Sequence, residues 1–175
     1  MRWNGPGGYW ISDDKSLIHL RLVHHWMSSE SYWAIGRPYD VMVRAVENSL
    51  VFGLYAPDGE QAGFARMVTD RATFAWLCDV FVAEEHRGNG IGTFLVRTAV
   101  GHPDVDGIRQ VLATRPGRTL YRRHGYGDLT SPERWMERPP RRTDDPGAGD
   151  GDGVTVTSAP EHRQPETVVQ AGTPD

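Results

Sequence analysis

The sequence predicts an α/β domain of the α+β type, with a mixed, mostly antiparallel central sheet flanked by helices. Three observations predict it. Strand-like runs at 50–55, 61–69 and 74–82 follow one another across hairpin-length turns, the spacing of an antiparallel meander. A glycine-rich loop and an apolar helical run then separate 74–82 from another strand-like run at 108–113. A strand–helix–strand step of that kind sets its two strands parallel. An apolar fraction of 38% and six tryptophans give one domain of ordinary size enough to bury.

The elements follow in chain order. Residues 9–12 read as a short first strand, stopped by Asp13-Asp14. Apolar residues recur at helical spacing through 17–27, which predicts a helix over most of that run. Pro38 can open a second helix, closed by Asn48-Ser49. The three meander strands are divided by Pro57-Asp58-Gly59 and Asp70-Arg71, both turn signals. Ile91 starts a helix that Gly101 and Pro103 end. The 108–113 strand leads to a short helix over 116–124, capped by Gly125, and a last strand is expected to include Trp135-Met136.

Composition changes near Arg138. Residues 1–138 are expected to form the folded domain. Residues 139–175 are Pro, Gly, Asp, Thr and Glu with few large apolar side chains, a disordered C-terminal tail by composition. The net charge of −4 argues against a nucleic-acid-coating protein. No run is long enough to span a bilayer, and the N-terminal residues lack a signal core. The expectation is a cytoplasmic protein with no membrane or nucleic-acid partner, with a homodimer left open. Cys78 is the one cysteine, and the seven histidines share no ligand spacing, so no metal is expected.

The most informative stretch is Arg87-Gly88-Asn89-Gly90-Ile91-Gly92. Between a strand and a helix, such glycines free several amide groups at a helix N-terminus, which favours a phosphate. Arg87 adds a positive charge. A dinucleotide loop has Gly-x-Gly-x-x-Gly near the first strand of a parallel sheet, and a nucleoside triphosphate loop needs Gly-Lys-Ser/Thr. Neither context is present.

The segment from Asp79 to Gly92 resembles motif A of the GNAT superfamily of N-acetyltransferases, with Arg87, Gly90 and Gly92 at the pattern positions. Downstream, Leu120-Tyr121 and Gly125-Tyr126 are similar to the family's Leu/Phe-Tyr-x-x-x-Gly-Phe/Tyr segment. The chain departs at His124, where Phe is common, and at Thr114, where many relatives have Asn. The resemblance implies an acyl-CoA N-acyltransferase fold, acetyl-CoA as co-substrate and direct transfer to a primary amine, here of a small molecule. It implies that the backbone of Arg87, Gly88, Asn89, Gly90, Ile91, Gly92 and Thr93 holds the pyrophosphate. It further implies that Val80, Phe81 and Val82 pair with the pantetheine arm.

Two catalytic residues are expected. Tyr121 can protonate the departing thiolate as general acid. Asp79 is the candidate base or amine anchor; strand alternation puts it on one face with 75, 77 and 81. Its alternative is an ion pair with an arginine. Glu84 and Glu85 read as solvated loop residues, and Cys78 as a buried small hydrophobe. Tyr32-Trp33, Tyr39 and Trp76 can line an acceptor pocket, and aromatics around one acidic residue would suit a cationic amine. Two competing functions remain: a non-catalytic acyl-CoA-binding or regulatory module, and an acetyltransferase acting on protein N-termini or lysines.

Overall fold

Six strands form one sheet in the order β1-β2-β3-β4-β5-β6. They are β1 (Arg2–Asn4), β2 (Trp10–Ser12), β3 (Leu50–Tyr55), β4 (Gln61–Thr69), β5 (Phe74–Val82) and β6 (Arg109–Val111). The first four pairings are antiparallel and β5–β6 is parallel. The helices are α1 (Leu20–His25), α2 (Tyr39–Glu47), α3 (Ile91–Val100) and α4 (Arg118–Arg122). This computed structural model describes residues 1–115 and 117–139. The chain divides into two units, Met1–Leu129 and a second that begins at Thr130.

The sheet has a core on each face, which is why β3 is buried at every residue. On one face Phe94, Leu95 and Ala99 of α3 pack with Phe52, Leu54 and Met67. On the other, Val23 of α1 and Met42 and Val46 of α2 pack with Val51, Phe64 and Phe81.

The meander strands and α3 have the predicted bounds, because turn residues mark each end. Elsewhere the prediction shifts. Strand β1 had no pattern of its own. The 17–27 helix is interrupted: a 3-10 turn at Lys15–Leu17 is capped by the Asp14 side chain, which accepts from the Ser16 amide at 2.9 Å. After α1 the chain winds through a π-helical turn at Trp26–Glu30. Trp135-Met136 is not a strand; Trp135 ends a 3-10 turn at Pro132–Arg134. Trp135 and Met136 are both exposed, so no buried face holds this segment against the sheet. The tail expected at 139–175 lies, beyond Pro139, outside the described residues.

The strict alternation expected along β5 also fails. Phe64 faces Phe81 and Arg66 faces Cys78, so Asp79 and Val80 together stand opposite Ala65. This is a β-bulge, and Asp79 takes φ 53 within it, a left-handed conformation that Asp tolerates better than most residues. The bulge changes which face each residue meets. Leu77 packs on the α3 side, but Phe81 packs on the α1–α2 side.

Candidate active site

Strands β5 and β6 stay paired for three residues only, from Phe74↔Arg109 to Trp76↔Val111. Beyond Trp76 the two chains part, and a cavity of about 700 Å³ lies along the parting. Leu77 and Val80 of β5 line it, with Leu112 and Thr114 after β6 and Leu120 and Tyr121 of α4. The aromatic residues Tyr32, Trp33 and Trp76 also line it, as does Val68. Tyr39 does not; it lies edge-on to His24 at 5.2 Å. The charged residues on the cavity wall are Arg37, Arg66 and Asp79.

Asp79 is held by both arginines. Arg37 donates from Nη1 to Oδ2 at 2.7 Å and from Nη2 to Oδ1 at 3.2 Å, and Arg66 donates from Nε to Oδ2 at 2.7 Å. Arg66 Nη1 also donates to Ser49 Oγ at 3.0 Å. The Asp79 side chain is 2% exposed, against 19% for Arg37 and 14% for Arg66. Burial alone would raise its pKa. The Arg37 hydrogen bonds and the Arg66 charge outweigh burial and hold the carboxyl below its usual range. A carboxylate so engaged is a weak base and has little freedom to meet an incoming amine. Of the two sequence readings of Asp79, the geometry is that of the arginine pair.

Tyr121 is half-buried on α4, its ring edge-on to Tyr126 at 6.1 Å. Burial, with nearby Tyr32, raises its pKa above the normal tyrosine value, so its hydroxyl stays protonated at neutral pH. The backbone turn that carries it is held by the Tyr121 main-chain carbonyl, which accepts from the amides of His124 and Tyr126 at 2.9 and 3.2 Å. Burial pushes the Cys78 thiol up to about 11, against the Arg66 charge. That removes the thiolate a nucleophile needs. Among the described residues no three His, Cys, Asp or Glu side chains converge as a metal site requires.

The glycine loop does not line the cavity; β5 links the two. Residues 87–90 are exposed. Gly88 and Gly90 hold φ of 93 and 75, and a Cβ at either would meet nothing within 4 Å. Gly90 precedes α3 with no side chain capping it, so the first amides of the helix, from Ile91 to Thr93, lack intrahelical acceptors. Arg87 folds back along the strand. Its Nε donates to the Val82 carbonyl at 2.9 Å and its guanidinium lies 5.6 Å from the Phe81 ring centre. One lone pair of Val82 O, expected to be open to a ligand, is therefore taken. Phe81 stacks on Trp26 at 5.2 Å. Glu84 and Glu85 are exposed.

Residues 47–127 match the model of the acetyltransferase (GNAT) domain family. A crystal structure of a GNAT-family protein from Xanthomonas campestris pv. campestris is 40% identical and superposes with a TM-score of 0.74. That match covers 78% of this chain and 96% of the other. The chain belongs to the GNAT family of acetyltransferases. A Gibberella zeae protein, provisionally named an acetyltransferase, is 31% identical over 109 residues, 52% of this chain. The chain spans 62% of that relative's length. A GNAT-family protein from Streptococcus pneumoniae shares the fold at 20% identity, with a TM-score of 0.56 over 82% of this chain and all of the other. Acyl transfer is the general chemistry of the GNAT family.

Two charged residues of the cavity wall escaped the sequence reading. Arg66 carried a legible signal, being a lone charge in the apolar run of β4. Arg37 carried none, because it sits in a loop 42 residues from Asp79. In this GNAT fold the α3 start and the cavity lie at opposite ends of the segment Val80–Val82. No helix among the described residues is long and apolar enough to cross a membrane.

Proposed function

We propose that the chain transfers the acetyl group of acetyl-CoA to the primary amine of a small molecule. The parting of β5 from β6 carries this reading, because it opens strand backbone between an uncapped helix start and a cavity holding a protonated tyrosine. The residues fit the co-substrate. The open space above Gly88 and Gly90 gives a diphosphate access to main-chain amides at the start of α3. Val80 can offer backbone groups to an amide-bearing arm, as a strand partner would, whereas the Phe81 carbonyl faces Gly63 of β4. Acetyl-CoA, when bound, supplies an acyl group already activated as a thioester.

The chain's own residues then have three tasks. The wall of Trp33 and Trp76 receives the acceptor and excludes water. The two guanidiniums against one carboxylate disfavour a second cation, so they lower the pKa of an amine brought into the cavity. That helps it enter as the free base without a dedicated side chain. Tyr121 holds a proton on Oη and can give it to a departing thiolate. We assign Asp79 to fixing Arg37 and Arg66 rather than to taking the amine proton.

Thiol release from acetyl-CoA, measured over a panel of small amines and a lysine peptide, tests the proposal beside a titration of coenzyme A. Saturable binding with release on a small amine supports it. Binding without release on any amine would make the chain an acyl-CoA-binding module, and release only with the peptide would make it a protein acetyltransferase.

A further inference from the structure

The acceptor cavity carries the wrong charge for a polyamine-like substrate. Its charged wall is two arginines and one aspartate. Each guanidinium has five N–H donors. Arg37 uses three, on Asp79 and on Met42 Sδ at 3.7 Å. Arg66 uses two, on Asp79 and Ser49. The other donors meet no acceptor among the described residues. Asp79 consumes one positive charge and, by gripping both side chains, fixes the planes of the two forks. A planar, pre-oriented guanidinium with spare donors on a half-sheltered wall is the arrangement that recognises a carboxylate. Beside it stand Trp33, Trp76, Tyr32 and Val68, all exposed and all lining the same cavity.

From this juxtaposition we infer that the acceptor is an amine that also bears a carboxylate and an aromatic or large apolar group, in the manner of an aromatic amino acid. Its carboxylate lies on the spare donors of Arg37 and Arg66, its apolar part against the tryptophans, and its amino group toward the parting of β5 and β6. A dicationic amine meets net repulsion at the same wall. This inference rests on the proposed acetyl transfer and gives it a substrate class.

Matched pairs that differ only in the carboxylate test it: phenylalanine against 2-phenylethylamine, and tryptophan against tryptamine. Thiol release from acetyl-CoA should favour each acid by about tenfold or more in kcat/KM, the scale of a charge-assisted bond pair. Spermidine should be the poorest acceptor. Arg37→Gln leaves Asp79 paired with Arg66, so the fold should persist, and the acid-to-amine ratio should fall toward one. Arg37→Lys should keep part of the preference. A second readout does not need turnover. N-acetylphenylalanine should quench cavity tryptophan fluorescence at lower concentration than N-acetyl-2-phenylethylamine, and added salt should narrow the gap. Equal or reversed preference in both readouts overturns the inference while leaving acetyl transfer standing. Selective binding of N-acetylphenylalanine without thiol release from any amine supports the carboxylate site and sinks the catalytic reading.

Discussion

Replacing Asp79 with asparagine separates a structural carboxylate from a catalytic base. The substitution keeps the side-chain shape and tolerates the left-handed φ of 53, so the missing charge is the main perturbation. In the native protein Asp79 accepts charged hydrogen bonds at 2.7, 3.2 and 2.7 Å. Removing one partner of a buried ion pair costs about 3–5 kcal/mol. Here the arginines keep 19% and 14% exposure, so water can partly solvate them, and the asparagine carbonyl retains one bond. The expected loss is therefore about 2–3 kcal/mol, read as a midpoint shift in urea denaturation with an unchanged slope. Asp79→Ala should lose about 1 kcal/mol more, because alanine is strained at that φ. The role as base makes the opposite prediction. If Asp79→Asn left stability within about 0.5 kcal/mol and abolished turnover while sparing coenzyme A affinity, the assignment to the arginines would be refuted.

Tyr121→Phe should lower kcat by about a hundredfold and leave coenzyme A affinity nearly unchanged; equal losses in both would contradict the acid role. Gly90→Asp puts a negative charge at the uncapped start of α3 and should weaken coenzyme A binding by about tenfold or more, whereas the uncharged Gly90→Asn, of the same shape and with the same tolerance of φ 75, should cost far less affinity. Gly63→Ala places a Cβ 2.7 Å from the Phe81 carbonyl oxygen. It should destabilise by about 1–3 kcal/mol, seen in thermal melts, and disturb the strand beside the cavity. The Asp79 carboxyl has a folded pKa below its ordinary value of 3.8, so its share of stability is complete above that value and is lost as pH falls through the folded pKa. Urea midpoints measured on acidification should fall more steeply for the native protein than for Asp79→Asn.

How far the sequence reached has a physical explanation. The β3–β4–β5 meander and α3 were legible because each boundary is local: a Pro-Asp-Gly turn, an Asp-Arg turn, and glycines at 90 and 101 are enough to stop an element. Tyr121 and the loop were legible as spaced residue types. The meaning of Asp79 was not, since alternation assumes an unbroken ladder, and the break at 79–80 exists only in the pairing of β5 with β4. Its partners come from β4 and from a loop before α2, and no local rule brings three such segments together. An acid in an apolar strand reads as a base when its partners are unseen. Once Arg37 and Arg66 are beside it, their two charges outweigh its one and the cavity has the opposite polarity. The quantity an acceptor meets is the summed charge of the wall, and here that sum is positive. Recognition of the substrate should therefore turn on the arginines, with the aspartate acting through them.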